Sequence, residues 1–294
     1  MKSTQPHDGE PPAAYRMGCY LFLSFDLVNS TELKGREPRW PLVMHYFYVE
    51  TLAVVHEISS SFHVWKYIGD EVVFWRFIAP GEHLPTLVCR IHAALRTIRD
   101  RLDGLQEKYG VHTRNLLGVK GTLWVASAEY VASDQLEKHL EIEHPHMNRI
   151  LEERVALATD SPTAHSRRRT VDFIGPEIDI GFRLAKFAHN GFLLLNAPLT
   201  ALLLRQAEES SLPARVVSLE PLKGVWGGRP YPIVWYSDPW EHPEEKFAYD
   251  ELMQQPIVAR VVAGDVQPLR LVNKVLRDLN LDGQVAHLAE QLGL

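Results

Sequence analysis

The chain has 294 residues, is 46% apolar and carries a formal net charge of −6. That is enough apolar content for a large buried core and the wrong sign for non-specific attachment to nucleic acid. Only two cysteines, Cys19 and Cys89, are present, which excludes a disulfide framework and fits a reducing, cytoplasmic setting. The first ten residues hold no apolar stretch of signal type, and the window Phe192 to Leu204 is interrupted by Asn196 and Pro198, so no membrane segment is expected.

Residues 1–16 are polar, contain Pro11-Pro12 and read as a tail. From Cys19 to Phe25 an apolar run of strand length leads to Asp26, followed by the capping-type cluster Asn29-Ser30-Thr31 and a helical pattern from Trp40 to Ser59. Phe62 to Tyr67 and Val72 to Ile78 read as strands joined by Gly69-Asp70, a hairpin signal. Leu87, Ile91, Leu95 and Ile98 recur at helical spacing within a long helix, Leu84 to Tyr109. Leu116 to Val125 is a strand, and Gln135 to Ala156 is a charged, exposed helix or hairpin insertion. Its His144-Pro145-His146 lacks a third ligand and reads as a surface loop, and Arg167-Arg168-Arg169 reads as a solvated hairpin tip. Thr170 to Ile174 is a strand, Pro176 opens a helix to about Ala188, and Phe192 to Leu195, Val216 to Leu219 and Tyr231 to Tyr236 complete the strands. Helices alternating with strands and hairpins predict an α+β domain built on one sheet. Beyond Trp240 the composition changes, and Leu269, Val272, Leu276, Leu279, Val285, Leu288 and Leu292 give an amphipathic tail suited to packing on its own domain or a sister chain.

Three short stretches carry the chemistry: FLSFDLVNST (22–31), KYIGDEVVF (66–74) and DFIGPEIDIGFRLA (172–185). Asp26 ends a buried strand beside the backbone N–H groups of a turn and helix start, an arrangement suited to a metal ion next to a phosphate chain. Asp70 sits at a hairpin apex, where its carboxylate reaches out of the sheet. If those strands are neighbours, both carboxylates emerge at one edge and can share divalent ions.

In this order the three stretches resemble the class III nucleotidyl cyclase catalytic domain, the third one following that family's Asp-x-x-Gly-x-x-x-Asn-x-x-x-Arg pattern save for Asp179 in place of Asn. The resemblance implies a ferredoxin-like α+β domain, with a mostly antiparallel mixed sheet and flanking helices, over residues 17–240, and a helical extension at 241–294. It implies two divalent cations, Mn²⁺ or Mg²⁺, at Asp26, Leu27 and Asp70, with Arg183 stabilising the transition state and Asp179 contacting the ribose. Ser30, Thr31 and Lys223 would hold phosphates, Lys223 standing two positions from the place of the family's phosphate-binding lysine, in its LKGVWGG turn. It further implies a head-to-tail homodimer in which Lys66 and Asp70 of one hairpin serve opposite sites. Glu71 reads as a strand-surface acid and His189 as a helix C-terminal cation.

Lys66 and Asp172 occupy the positions that read adenine in adenylate cyclases, yet cytosine and uracil also present a donor beside an acceptor, so pocket depth must decide. The helix with Trp40, Tyr46, Phe47 and Tyr48 borders the nucleotide pocket in that family, and Tyr48 is the residue expected to shorten it to one ring. With Asp179, this resembles the bacterial pyrimidine cyclases of anti-phage signalling, which implies UTP first and CTP next, and a downstream cyclic-nucleotide-responsive effector. An adenylate cyclase and a catalytically degenerate nucleotide-binding domain remain the alternatives.

Overall fold

The structure, a computed structural model, describes residues 17–111, 113, 116–131, 148–156, 167–237 and 256–294. Its centre is β1 (Gly18–Val28), in which Tyr20, Leu21, Phe22, Leu23 and Phe25 are all fully buried. A strand covered on both faces is continuously apolar rather than alternating, which explains the run seen in sequence. Among the described residues nine strands form one sheet, with the order β2 (His63–Ile68), β3 (Glu71–Phe77), β1, β4 (Gly118–Val131), β7 (Leu193–Leu195), β9 (Pro230–Tyr236) and β8 (Ala214–Pro221). The pairs are antiparallel except β4 with β7 and β4 with β5 (Asn148–Ala156), and β6 (Arg167–Ile174) lies antiparallel to β5.

The two faces are built differently. Leu21, Leu23 and Phe25 point to a large aliphatic core shared with α2 (Trp40–Ile58) and α3 (Leu84–Tyr109), which follow the short α1 (Ser30–Arg36). Tyr20 and Phe22 point the other way, into a smaller cluster with Trp75, Trp124, Phe173 and Ile178, covered by α4 (Pro176–Leu184). The close seat of α4 depends on Gly181, where a Cβ would fall 2.2 Å from Cε2 of Trp124.

Several boundaries differ from expectation. Of the expected insertion at 135–156, the described part is strand β5, while residues 135–147, with His144-Pro145-His146, lie outside the described residues. Arg167 to Arg169 begin β6 rather than forming a hairpin tip. The helix opened by Pro176 stops at Leu184 and gives way to a 3₁₀ turn, Ala185–Phe187. Helix α5 (Ala197–Gln206) went unassigned because every residue from Ala197 to Leu203 is buried, so no polar face marks the helical period. Helix α6 (Pro256–Val262) is too short to show one. At the C-terminal end, α7 (Arg270–Asp278) and α8 (Asp282–Leu292) bury Val272, Leu276, Val285, Leu288 and Leu292 in the main core. The Gly81 N–H donates to the Leu292 carbonyl at 2.9 Å and Gln291 Nε2 to Ser127 Oγ at 3.0 Å, so the tail packs on its own chain. Among the described residues no helix is long and apolar enough to cross a membrane.

Candidate active site

The β2–β3 hairpin turns through a two-residue loop whose first member, Gly69, takes φ +63°, a conformation that favours glycine. Asp70 follows, and its carbonyl accepts from the Leu27 N–H at 3.3 Å, tying the hairpin tip to β1. Register then sets Asp26 directly between Glu71 of β3 and Lys120 of β4. Lys120 Nζ lies 3.0 Å from Asp26 Oδ2, and Ser30 Oγ donates to Asp70 Oδ2. Asp26, Leu27, Ser30, Thr31, Asp70 and Lys120 line one cleft of about 700 Å³, which Lys186 and His189 border from the other side.

Burial is the main cause that pushes the Asp26 carboxyl above its ordinary range; Lys120 opposes the shift and the Asp70 charge adds to it. Glu71 is raised in the same way, by burial first, held back by a hydrogen bond from Ser24 and raised further by Asp26. Three carboxyl groups therefore crowd around one ammonium, a local excess of negative charge that a cation would relieve. Among the described residues no three His, Cys, Asp or Glu side chains converge as a metal-holding group. Asp26 and Asp70 are the cleft carboxylates that could hold a cation, which would take its remaining oxygens from the backbone and a bound phosphate chain, the ligand economy usual for Mg²⁺. The donor set fits Mn²⁺ or Mg²⁺.

A second polar pair lies on the α4 side of the sheet. Lys66 Nζ is 2.7 Å from Asp172 Oδ1, both side chains being partly exposed. Lys66 precedes Asp70 by four residues on the same hairpin, and neither Lys66 nor Asp172 lines the carboxylate cleft. Tyr48 lines neither the cleft nor the pair but is fastened at the hairpin tip: its hydroxyl donates to the Gly69 carbonyl and its ring stands edge-on to Tyr67 at 5.0 Å. Burial and the Asp70 charge raise the pKa of its hydroxyl.

On α4, Asp179 and Arg183 are one helical turn apart and pair with each other, Nη1 to Oδ2 at 3.3 Å. The start of that helix is pinned by Glu177, whose Oε2 accepts from the Ser127 N–H at 3.1 Å and from Asn148 Nδ2 at 2.9 Å. Lys223 is exposed in the β8–β9 turn and does not line the cleft; the cleft lysines are Lys120 and Lys186. His189 is buried against Phe192 and Trp235 at the cleft wall, which corrects the expectation of a solvent-facing helix end: the helix stops earlier and the ring turns inward. Sequence reasoning missed Lys120, although a single charge inside the apolar strand GVKGTLW was a usable signal. Nothing local marks Lys186, which follows from where the 3₁₀ turn ends.

No protein-family model matches the chain, and no curated protein does. Solved structures do. The adenylyl cyclase CyaB from P. aeruginosa superposes with a TM-score of 0.50 at 13% identity, over 76% of this chain and 95% of that one. The guanylate cyclase domain of RhGC from Catenaria anguillulae, solved with GTP, gives 0.48 at 10% identity over 75% and 97%. Adenylate cyclases from Trypanosoma brucei in their monomeric state give 0.48 at 12% identity over 74% and 89%. At such identities the likeness speaks to architecture: the mixed sheet with its flanking helices has the class III nucleotidyl cyclase fold.

Proposed function

We propose that the chain is a nucleotidyl cyclase that turns a pyrimidine nucleoside triphosphate, UTP before CTP, into its 3′,5′-cyclic monophosphate and pyrophosphate. The observation that carries this reading is the entry of Asp26 and Asp70 into one phosphate-sized cleft within this fold. Divalent cations, when bound there, lower the pKa of the ribose 3′-hydroxyl and neutralise the leaving pyrophosphate. Ser30 holds the Asp70 carboxylate in place, while Lys120 and Lys186 border the space a triphosphate would fill. Leu27 offers its backbone and Thr31 its helix-start position at the same wall. Arg183 brings a planar fork to the α-phosphoryl oxygens, and Asp179 keeps that fork oriented and accepts from the ribose. Lys66 and Asp172 read the base.

In a single chain the base-reading pair and the carboxylate cleft are apart, so the complete site is assigned to a head-to-tail homodimer. Preference for a single-ring base draws on the resemblance to pyrimidine cyclases and on Tyr48, an aromatic wall fastened beside Asp70. The same resemblance supports a role for the product as a second messenger read by a cyclic-nucleotide-responsive effector in defence against phage. The test is incubation of the purified chain with Mn²⁺ and each of the four nucleoside triphosphates, the cyclic product being identified by mass spectrometry. Cyclic UMP or cyclic CMP is expected. Cyclic AMP alone overturns the pyrimidine reading in favour of an adenylate cyclase, which the Lys66–Asp172 pair equally permits. Binding without product points to the degenerate alternative, for which the self-pairing of Arg183 with Asp179 speaks.

A further inference from the structure

The register of β2 against β3 slips at one place: Val64 faces Phe74 and Lys66 faces Val73, which leaves Trp65 as an extra residue. In a regular strand Trp65 and Lys66 would point to opposite faces; a bulge lets neighbours share one. Both side chains here turn to the α4 side. The Trp65 ring is held among Phe22, Phe173 and Phe182, with centroids at 5.6, 5.2 and 5.6 Å. Its Nε1–H donates to Asp172 Oδ1 at 3.0 Å, and Lys66 Nζ lies 4.4 Å from the ring centroid. Asp172 Oδ1 therefore takes three donors: the indole, the Lys66 ammonium at 2.7 Å and the Phe173 N–H at 2.9 Å. Among the described residues Oδ2 has none.

From this geometry we infer that Trp65 is a specificity-positioning residue. Its indole N–H clamps one oxygen of Asp172, so that a nucleobase meets Oδ2 as a single, fixed acceptor beside the remaining N–H donors of Lys66. A carboxylate free to rotate would present either oxygen over a spread of positions and angles, so base edges that differ in where their donor stands would be met about equally well. A clamped one holds its acceptor at one position relative to Lys66, which suits only base edges whose donor and acceptor match that spacing. Lys66 alone cannot do this, because an ammonium on a flexible stem follows the carboxylate rather than fixing it. The indole can, being immobilised by three rings. This deepens the cyclase reading and rests on it for the identity of the ligand.

The experiment compares the wild type with Trp65→Phe, which keeps an aromatic ring in the cluster and removes only the donor. Rates with all four nucleoside triphosphates are measured across substrate concentration. The expected result is a roughly tenfold or greater rise in KM for the preferred nucleotide, with the loss falling on KM rather than kcat, and a comparable shrinkage of the preference over the next nucleotide. A purely structural role would instead lower the melting temperature and scale all four substrates together. Unchanged KM values and an unchanged preference order overturn the inference, as does a uniform loss. A wild type that cyclises none of the four fails the cyclase reading instead. In that case equilibrium binding of the same four nucleotides to wild type and Trp65→Phe decides the role of Trp65 by the same ratio.

Discussion

The two polar ends of the β2–β3 hairpin solve opposite electrostatic problems. At the tip, Asp26, Asp70 and Glu71 face a single ammonium from Lys120, and burial raises Asp26 and Glu71 further, so the group is under-neutralised. Four residues back, at Lys66, the β6 residue Asp172 is satisfied three times over on one oxygen by groups of its own chain. The first cluster keeps an excess of negative charge that a cation would relieve; in the second, one carboxylate oxygen is already fully engaged by its own chain. Charge left unpaired is suited to recruiting metal and phosphate, whereas charge already paired is suited to discrimination, because its geometry does not relax around the wrong partner.

The contrast is broken most severely at the tip. If Asp70 holds a cation as proposed, Asp70→Ala should cost on the order of a thousandfold or more in product formation, since it removes one of the two cleft carboxylates while leaving the sheet and its core untouched. Mass-spectrometric quantification of product, alongside a melting curve matching the wild type, is the check. Near-normal activity would remove the basis for the two-cation site. A mixture of Asp70→Ala with Arg183→Ala chains sharpens the point. Each is expected to be inactive alone and to regain one working site per mixed dimer, and absence of complementation would place the site within one chain.

At the other end the loss should be smaller and of a different kind. Lys66→Ala is expected to weaken substrate use by roughly a hundredfold, because it removes a charged donor and leaves Asp172 facing the base without its counter-ion. The deficit should appear in KM and in base preference rather than in cation dependence, and steady-state kinetics over nucleotide and Mn²⁺ concentration separate the two. A deficit in cation dependence would erase the distinction between the ends.

How much of this was legible beforehand follows the same division. The strand–turn–helix stretches announce Asp26, Asp70, Lys66 and Asp172 because each sits in a short local pattern. Their pairings were not legible, since the Lys66–Asp172 contact joins residues 106 positions apart, and Asp26 meets Lys120 only through strand register. The bulge at Trp65 is invisible to alternation counts because Val64, Trp65, Tyr67 and Ile68 are all apolar enough to sit on either face. In the fold, the buried helix α5 was missed and the strand β5 was left open between helix and hairpin for a common reason: neither displays the clean amphipathic period on which such reading depends.

Lys120 tests whether the tip is truly poised for a cation. Its ammonium already neutralises Asp26 and so competes with a metal for the same oxygen. Lys120→Met keeps a stem of similar length and removes the charge, and should tighten binding of Mn²⁺ in the absence of nucleotide by roughly three- to tenfold, as read by calorimetry or by the Mn²⁺ resonance. Weaker binding would assign Lys120 to holding Asp26 in place rather than to neutralising it.

The smallest effect lies between the two ends, at the start of α4. Burial pushes the Glu177 carboxyl above its ordinary range, opposed by the hydrogen bonds from Ser127 and Asn148. A carboxyl raised in the folded state binds its proton more tightly there than in the unfolded chain, so it costs stability progressively as pH rises from the ordinary carboxylate range through the raised value. Glu177→Gln retains an acceptor for the Ser127 N–H and abolishes the titration, so it should flatten that part of the stability curve while leaving α4, and with it Arg183, in place. Thermal melts of both chains between pH about 4 and 8 provide the comparison. Parallel curves would mean that the Glu177 charge is already compensated by its two donors, Ser127 and Asn148.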